Sequence, residues 1–148
     1  MVELIFSAVL LLSGFSKSEC IKALQGKDAK AIQKLITSIE QSSASSDRTA
    51  YLGALTMKSA SLKETPKEKM EVFKKGKDLL EKAITANKKN TEYRFLRLMI
   101  QENAPKIVKY SSNIKEDATW IKEHYTNCSS EIIQAIKNYA AQSVVLDL

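Results

Sequence analysis

Apolar residues recur at helical spacing along almost the whole chain, and no segment alternates as a strand would. Cys20, Ile21 and Leu24 form a short apolar edge that Gly26 ends. Asp28 is placed to cap the next helix, whose Ile32, Leu35, Ile36 and Ile39 fall at i, i+3, i+4 and i+7. QSSASS at 41–46 reads as a loop, and Ser46 as the cap of a helix reaching about Leu62. Tyr51, Leu52, Ala54, Leu55, Met57 and Leu62 are its expected inward residues. Gly53 lies in its interior, where glycine costs about 1 kcal/mol against alanine, so a close helical neighbour is expected there. Thr65-Pro66-Lys67-Glu68 combines an N-cap hydroxyl, proline at the first helical position and glutamate at the third, a capping box. The helix it opens carries Met70, Phe73, Leu80, Ala83 and Ile84 on one face, with Gly76 in the seam.

Residues 91–102 break this one-sided pattern. Tyr93, Phe95, Leu96, Leu98, Met99 and Ile100 make the segment apolar on most sides, which predicts a buried central helix. Its polar exceptions, Arg94, Arg97 and Gln101, fall at i, i+3 and i+7 on a single stripe. Beyond it, Asn103 is expected to cap a shorter helix with Pro105 in its first turn, burying Ile107, Val108 and Tyr110. Asn113 to Glu116 reads as a second capping box, followed by an apolar line of Ile114, Ala118, Ile121 and Tyr125. A last helix starts near Ser129 with Ile132, Ile133, Ile136, Tyr139 and Ala140 inward, and the apolar tail at 144–148 is expected to dock. The sum is an all-α chain of stacked antiparallel helical hairpins, about six to seven helices, forming one domain over 17–148.

The run LIFSAVLLLSGF at 4–15 is too short to span a bilayer comfortably and suits the core of a signal peptide. Gly14-Phe15-Ser16 presents a small-x-small cleavage pattern, so residues 1–16 are expected to be removed and the mature chain to begin at Lys17. The leading Met-Val-Glu carries no Lys or Arg, which leaves a buried first helix as the other reading. Export predicts a periplasmic or secreted protein without a stable membrane span after cleavage.

Composition narrows the chemistry. The net charge is +6, but no run of five like charges occurs, and 63–77 interleaves lysines with glutamates as a solvated helix face does. No basic-aromatic motif accompanies that charge, so nucleic acid is not an expected partner. Two cysteines, Cys20 and Cys128, and a single histidine, with no CxxC spacing, leave no basis for a zinc site. The cysteines read either as a disulfide in an oxidising compartment or as two ordinary half-buried thiols. His124 has Glu123 beside it, but adjacent helical residues point about 100° apart, and no nucleophile is tied to the histidine by a motif. Glu116-Asp117 stand at a helix start, where the macrodipole accounts for acidic residues. No phosphate-binding glycine loop is present. Neither catalysis nor a cofactor is expected.

The helices over 46–62 and 65–86 resemble one tetratricopeptide repeat. Leu52-Gly53 stands where that motif has Leu-Gly, and Gly76, Leu80 and Ala83 keep its small-large-small spacing. Residues 87–90 resemble its Asp-Pro-x-Asn turn, with Lys88 in place of the proline, although an insertion separates the halves and no second copy follows. More of the chain is similar to a poorly characterised group of exported bacterial helical proteins of the Bacteroidota type. The shared blocks are the leader, YLGALTMKSA at 51–60, NTEYRFLRLMIQENAP at 90–105 and NIKED at 113–117. That resemblance implies a helical fold and export, and brings no activity or substrate.

The Arg94/Arg97/Gln101 stripe is the candidate site, with two readings. In one the arginines pair with carboxylates of neighbouring helices, Glu92, Glu102 or Glu116, and hold register. In the other they grip a partner's carboxylates in a groove between hairpins, with Tyr93 and Trp120 as apolar anchors. For Trp120 the competing expectation is core packing beside Ile114 and Ile121. The functional expectation is a non-enzymatic exported scaffold binding a protein or peptide near the central helix. The alternative is a basic protein attached to anionic lipid or polysaccharide through its lysine faces.

Overall fold

Side-chain caps set most element boundaries in the computed structural model, which describes residues 14–148. Ser16 accepts from the Glu19 amide to start α1 (Lys17–Gln25), and Asp28 accepts from two amides to start α2 (Ala29–Glu40). Ser45, one residue earlier than expected, caps α3 (Ser46–Ser59), which closes in a 3-10 turn at Ala60–Leu62. Thr65 accepts from the Glu68 amide, with Pro66 inside the first turn, to start α4 (Pro66–Ala86). Asn90 accepts from the Tyr93 amide to start the central α5 (Thr91–Asn103). Then follow α6 (Ile114–His124) and α7 (Ser130–Ala140), the latter capped by Ser129. The fold is all-α, with seven α-helices and no strand among the described residues. The proposed leader lies mostly outside them, but Gly14, Phe15 and Ser16 do not: the Phe15 ring packs 5.2 Å from that of Tyr51.

Helix α5 is buried on all sides, as its composition predicts: Thr91 and every residue from Tyr93 to Gln101 are buried. Around it the buried side chains of the other six helices join one cluster. The tightest packing is between α3 and α4, which run antiparallel. A Cβ on Gly53 would stand 2.6 Å from the Leu80 amide nitrogen, and one on Gly76 2.6 Å from the Gly53 carbonyl oxygen. These glycines are therefore where two helix backbones touch, which repays the propensity that Gly53 loses.

Several expectations need correction. Asn103 does not cap a new helix but ends α5, and only a 3-10 turn, Lys106–Val108, follows. Pro105 removes a donor and holds Ala104 extended, and Lys109 then enters the left-handed region at φ 49°, so no helix can propagate. Ile107 is consequently 78% exposed, although Tyr110 is buried as expected. Leu62 and Met70, both expected inward, are exposed on the surface. Asn113 makes no capping bond, because Gln101 holds its side chain. The tail does dock, through buried Leu146, while Val144 stays in solvent.

Candidate functional site

The arginine stripe faces α6 and α4, and its charges are met inside the molecule. Asp117, in the first turn of α6, is fully buried. Arg97 grips it with a two-pronged fork, Nε to Oδ2 at 2.7 Å and Nη2 to Oδ1 at 2.8 Å. Its third nitrogen reaches Glu81 of α4 at 3.1 Å. Glu81 also accepts from the Tyr110 hydroxyl. Arg94 donates to the Lys88 carbonyl (2.8 Å), to Asp117 (3.1 Å) and to the exposed Glu116 (3.1 Å). Burial alone would make the Arg97 guanidinium easier to deprotonate, but Asp117 and Glu81 outweigh that and raise its pKa. Gln101 pairs twice with Asn113, donating to its side-chain oxygen (3.0 Å) and accepting from its backbone amide (3.1 Å). One network thus ties α4, α5 and α6 together.

The other candidate residues are also engaged. Tyr93 is buried and donates its hydroxyl to Asp47 at 2.6 Å. Trp120 is half-buried, and its indole N–H donates to Thr91 Oγ1 at 3.1 Å. The Arg94 guanidinium lies 4.7 Å from the Trp120 ring centre, and His124 stacks on that ring at 3.9 Å. Among the described residues no buried side-chain nitrogen or oxygen lacks a partner. The stripe therefore holds no spare buried donor aimed at solvent. Of the arginine partners expected from sequence, Glu116 is present. Glu92 instead serves Lys17 and Tyr51, and Glu102 serves Tyr139 and the tail. Asp117 and Glu81 were missed. For Asp117 a signal existed, since it falls in the apolar line of α6, between Ile114 and Ile121 at i+3 and i+7.

Beside the network Trp120 and His124 line a polar cleft of about 500 Å³ with Glu92 and Cys128. The histidine Nδ1 donates to the Trp120 carbonyl at 2.8 Å. Both thiols are free, and burial, reinforced by Glu92 at Cys128, pushes their pKa values up. An activated nucleophilic thiol needs the opposite shift. Among the described residues no three His, Cys, Asp or Glu side chains are grouped to hold a metal ion, and no helix is long and apolar enough to cross a membrane.

An open apolar groove of about 390 Å³ lies at the other end of α5. The buried Met99 and Ile100 of α5 form its floor with Met57 of α3, Phe73 of α4 and the half-buried Val108, and the exposed Asn103 lines it as well. Its rim is Met70 and Ile107, 45% and 78% exposed, with Lys58 and Lys69 as the charged members. The misplaced expectations explain why sequence did not reveal it. The pattern places Met70 and Ile107 inward, yet both stand at the edge of a cleft, Ile107 because the proline turn after α5 stops a helix there. Comparison with known proteins adds nothing to this geometry: no family model matches the chain, and no curated protein or solved structure matches it.

Proposed function

We propose that this chain is a non-enzymatic, exported helical scaffold that binds a protein or peptide partner through the apolar groove at the C-terminal end of α5. The observation that carries this reading is the groove itself, with large apolar side chains left open to solvent at Met70 and Ile107. Apolar clefts with a few polar groups at the edge are the usual seats for partner side chains. The tetratricopeptide-like character of the α3–α4 hairpin agrees with a binding scaffold, and the leader-like start of the chain agrees with export. The guanidinium stripe serves this function from below: it fixes α5 between α4 and α6 and so holds the groove floor in place. The raised thiol pKa values argue against either cysteine acting as a nucleophile.

A second reading, attachment to an anionic surface, draws on Ile107, which stands exposed between Lys106 and Lys109. The test is cross-linked capture at moderate salt from the cells that make the protein, comparing wild type with Met70→Glu/Ile107→Glu. Both residues are exposed, so the variant is expected to fold. A partner that binds purified wild type and loses the variant supports the groove. A partner retained by the variant removes the groove from the interface. Binding to anionic vesicles that fades as salt rises would favour the second reading.

A further inference from the structure

We propose that the groove selects an amphipathic partner segment carrying an aspartate or glutamate, whose carboxylate sits on Lys58 while its apolar side chains enter between Met57, Met70, Phe73 and Met99. This rests on the groove being a partner site and names what the partner segment must carry. No acidic residue lines the groove, whereas two lysines do. Elsewhere each partly buried cation has a partner: Lys17 pairs with Asp47 and Glu92, Arg94 and Arg97 pair with Asp117, Arg48 donates to the Ile39 and Glu40 carbonyls, and Lys77 lies over the Tyr110 ring. Lys58 is different. It is half-buried, yet among the described residues its ammonium has no ion pair, no hydrogen bond and no aromatic ring against it.

Burial, with Lys27 adding repulsion, lowers the pKa of the Lys58 ammonium. A cation in the last turn of α3 suits the helix dipole, which accounts for a lysine at this position. The dipole does not account for its place at the wall of an apolar cleft without a counter-charge. An incoming carboxylate would supply that charge where water is already thinned, and charge-assisted hydrogen bonds are strongest there. Lys69 on the same rim would favour the same sign of ligand.

The test pans a library of random displayed peptides against the full chain, then reads binding of the enriched peptides by methyl-labelled methionine spectra. Met57, Met70 and Met99 line the groove, and the chain's fourth methionine is Met1, so three resonances report on one site. The expected result is enriched peptides with an acidic residue beside apolar ones. They should shift those three methyls and bind Lys58→Met about tenfold or more weakly, the scale of losing a charged hydrogen bond. Lys58→Gln, checked for folding by circular dichroism, guards against a local effect of Met and is expected to weaken the same peptides. Enriched peptides that shift the three methyls but lack acidic residues, or bind both variants as tightly as wild type, overturn the charge inference and leave the groove as a partner site. Peptides that leave the methyls unmoved, or no enrichment at all, overturn both readings together. Dodecanoate that shifts the same methyls and binds more tightly than the best peptide would make the occupant an acyl chain and overturn the peptide.

Discussion

At the scale of single residues, Lys17 holds two carboxylates, lying 2.8 Å from Asp47 and 2.9 Å from Glu92. Tyr93 and Tyr51 donate their hydroxyls to the same two groups. Burial alone lowers an ammonium pKa and raises a carboxyl pKa, but these bonds outweigh it, leaving Lys17 raised and Asp47 lowered. Asp47 therefore contributes stability that is present above its unfolded pKa and lost as pH falls through its folded value. Lys17 contributes stability that is complete below its ordinary 10.5 and lost as pH rises through its higher folded value. Both groups are partly exposed, so each effect is expected to stay below about 1 kcal/mol. Cys20 adds to the alkaline loss. Burial, helped by Glu19, pushes its thiol from 9.0 up to about 12, so in that window the unfolded chain releases the proton first and stability falls. Urea unfolding between pH 9 and pH 11 is expected to show a falling midpoint whose slope flattens in Cys20→Ala. An identical slope in the variant would assign the loss to other groups.

At the scale of elements, the helices and their caps were largely legible because local chemistry decides them: Asp28, Thr65, Asn90 and Ser129 each present an acceptor to an open first turn. The α3–α4 contact was also legible, since Gly53 in a helix interior has a cost that only a close neighbour explains. Gly53→Ala is expected to destabilise by about 1–3 kcal/mol in denaturant unfolding, because overpacking outweighs the propensity gain. The Cβ would meet backbone atoms at 2.6 and 2.7 Å, and backbone cannot step aside as a side chain can. A stabilised variant would mean the two helices are farther apart than described. The segment between α5 and α6 was not legible. Asn103 and Asn113 both stand where helix caps stand, but one bonds the Met99 carbonyl and the Tyr139 hydroxyl, and the other bonds Gln101. Tyr139 and Gln101 lie in elements other than those the two asparagines would cap, beyond the reach of local pattern.

At the scale of the whole molecule, α5 is the member on which the others are hung. Its last turn also holds the tail: Glu102 accepts from the Tyr139 hydroxyl at 2.6 Å, the Ser143 hydroxyl at 2.8 Å and the Val144 amide at 2.8 Å. Glu102→Ala is expected to cost about 1–3 kcal/mol and to speed amide exchange in residues 143–146, where Leu146 enters the core. Unchanged exchange there would mean that Leu146 alone secures the tail. The stripe was legible as a stripe, and its carboxylate partnership was one of two readings. Asp117 as the buried hub had a signal in its place on the apolar line of α6, but the helix-start explanation for acidic residues masks it.

The Arg94/Arg97 stripe is internal framework, and the proposed binding falls instead to the apolar groove. A double-mutant cycle on Arg97→Met and Asp117→Val, read by denaturant unfolding, tests it most directly. Breaking a buried pair strands the surviving charge, so each single variant is expected to lose about 3–5 kcal/mol. The double variant should lose clearly less than the two together, with a coupling of about 2 kcal/mol or more. Single losses below about 1 kcal/mol that add without coupling would mean the pair is exposed and dispensable, and would return the stripe to candidacy as a surface for partners.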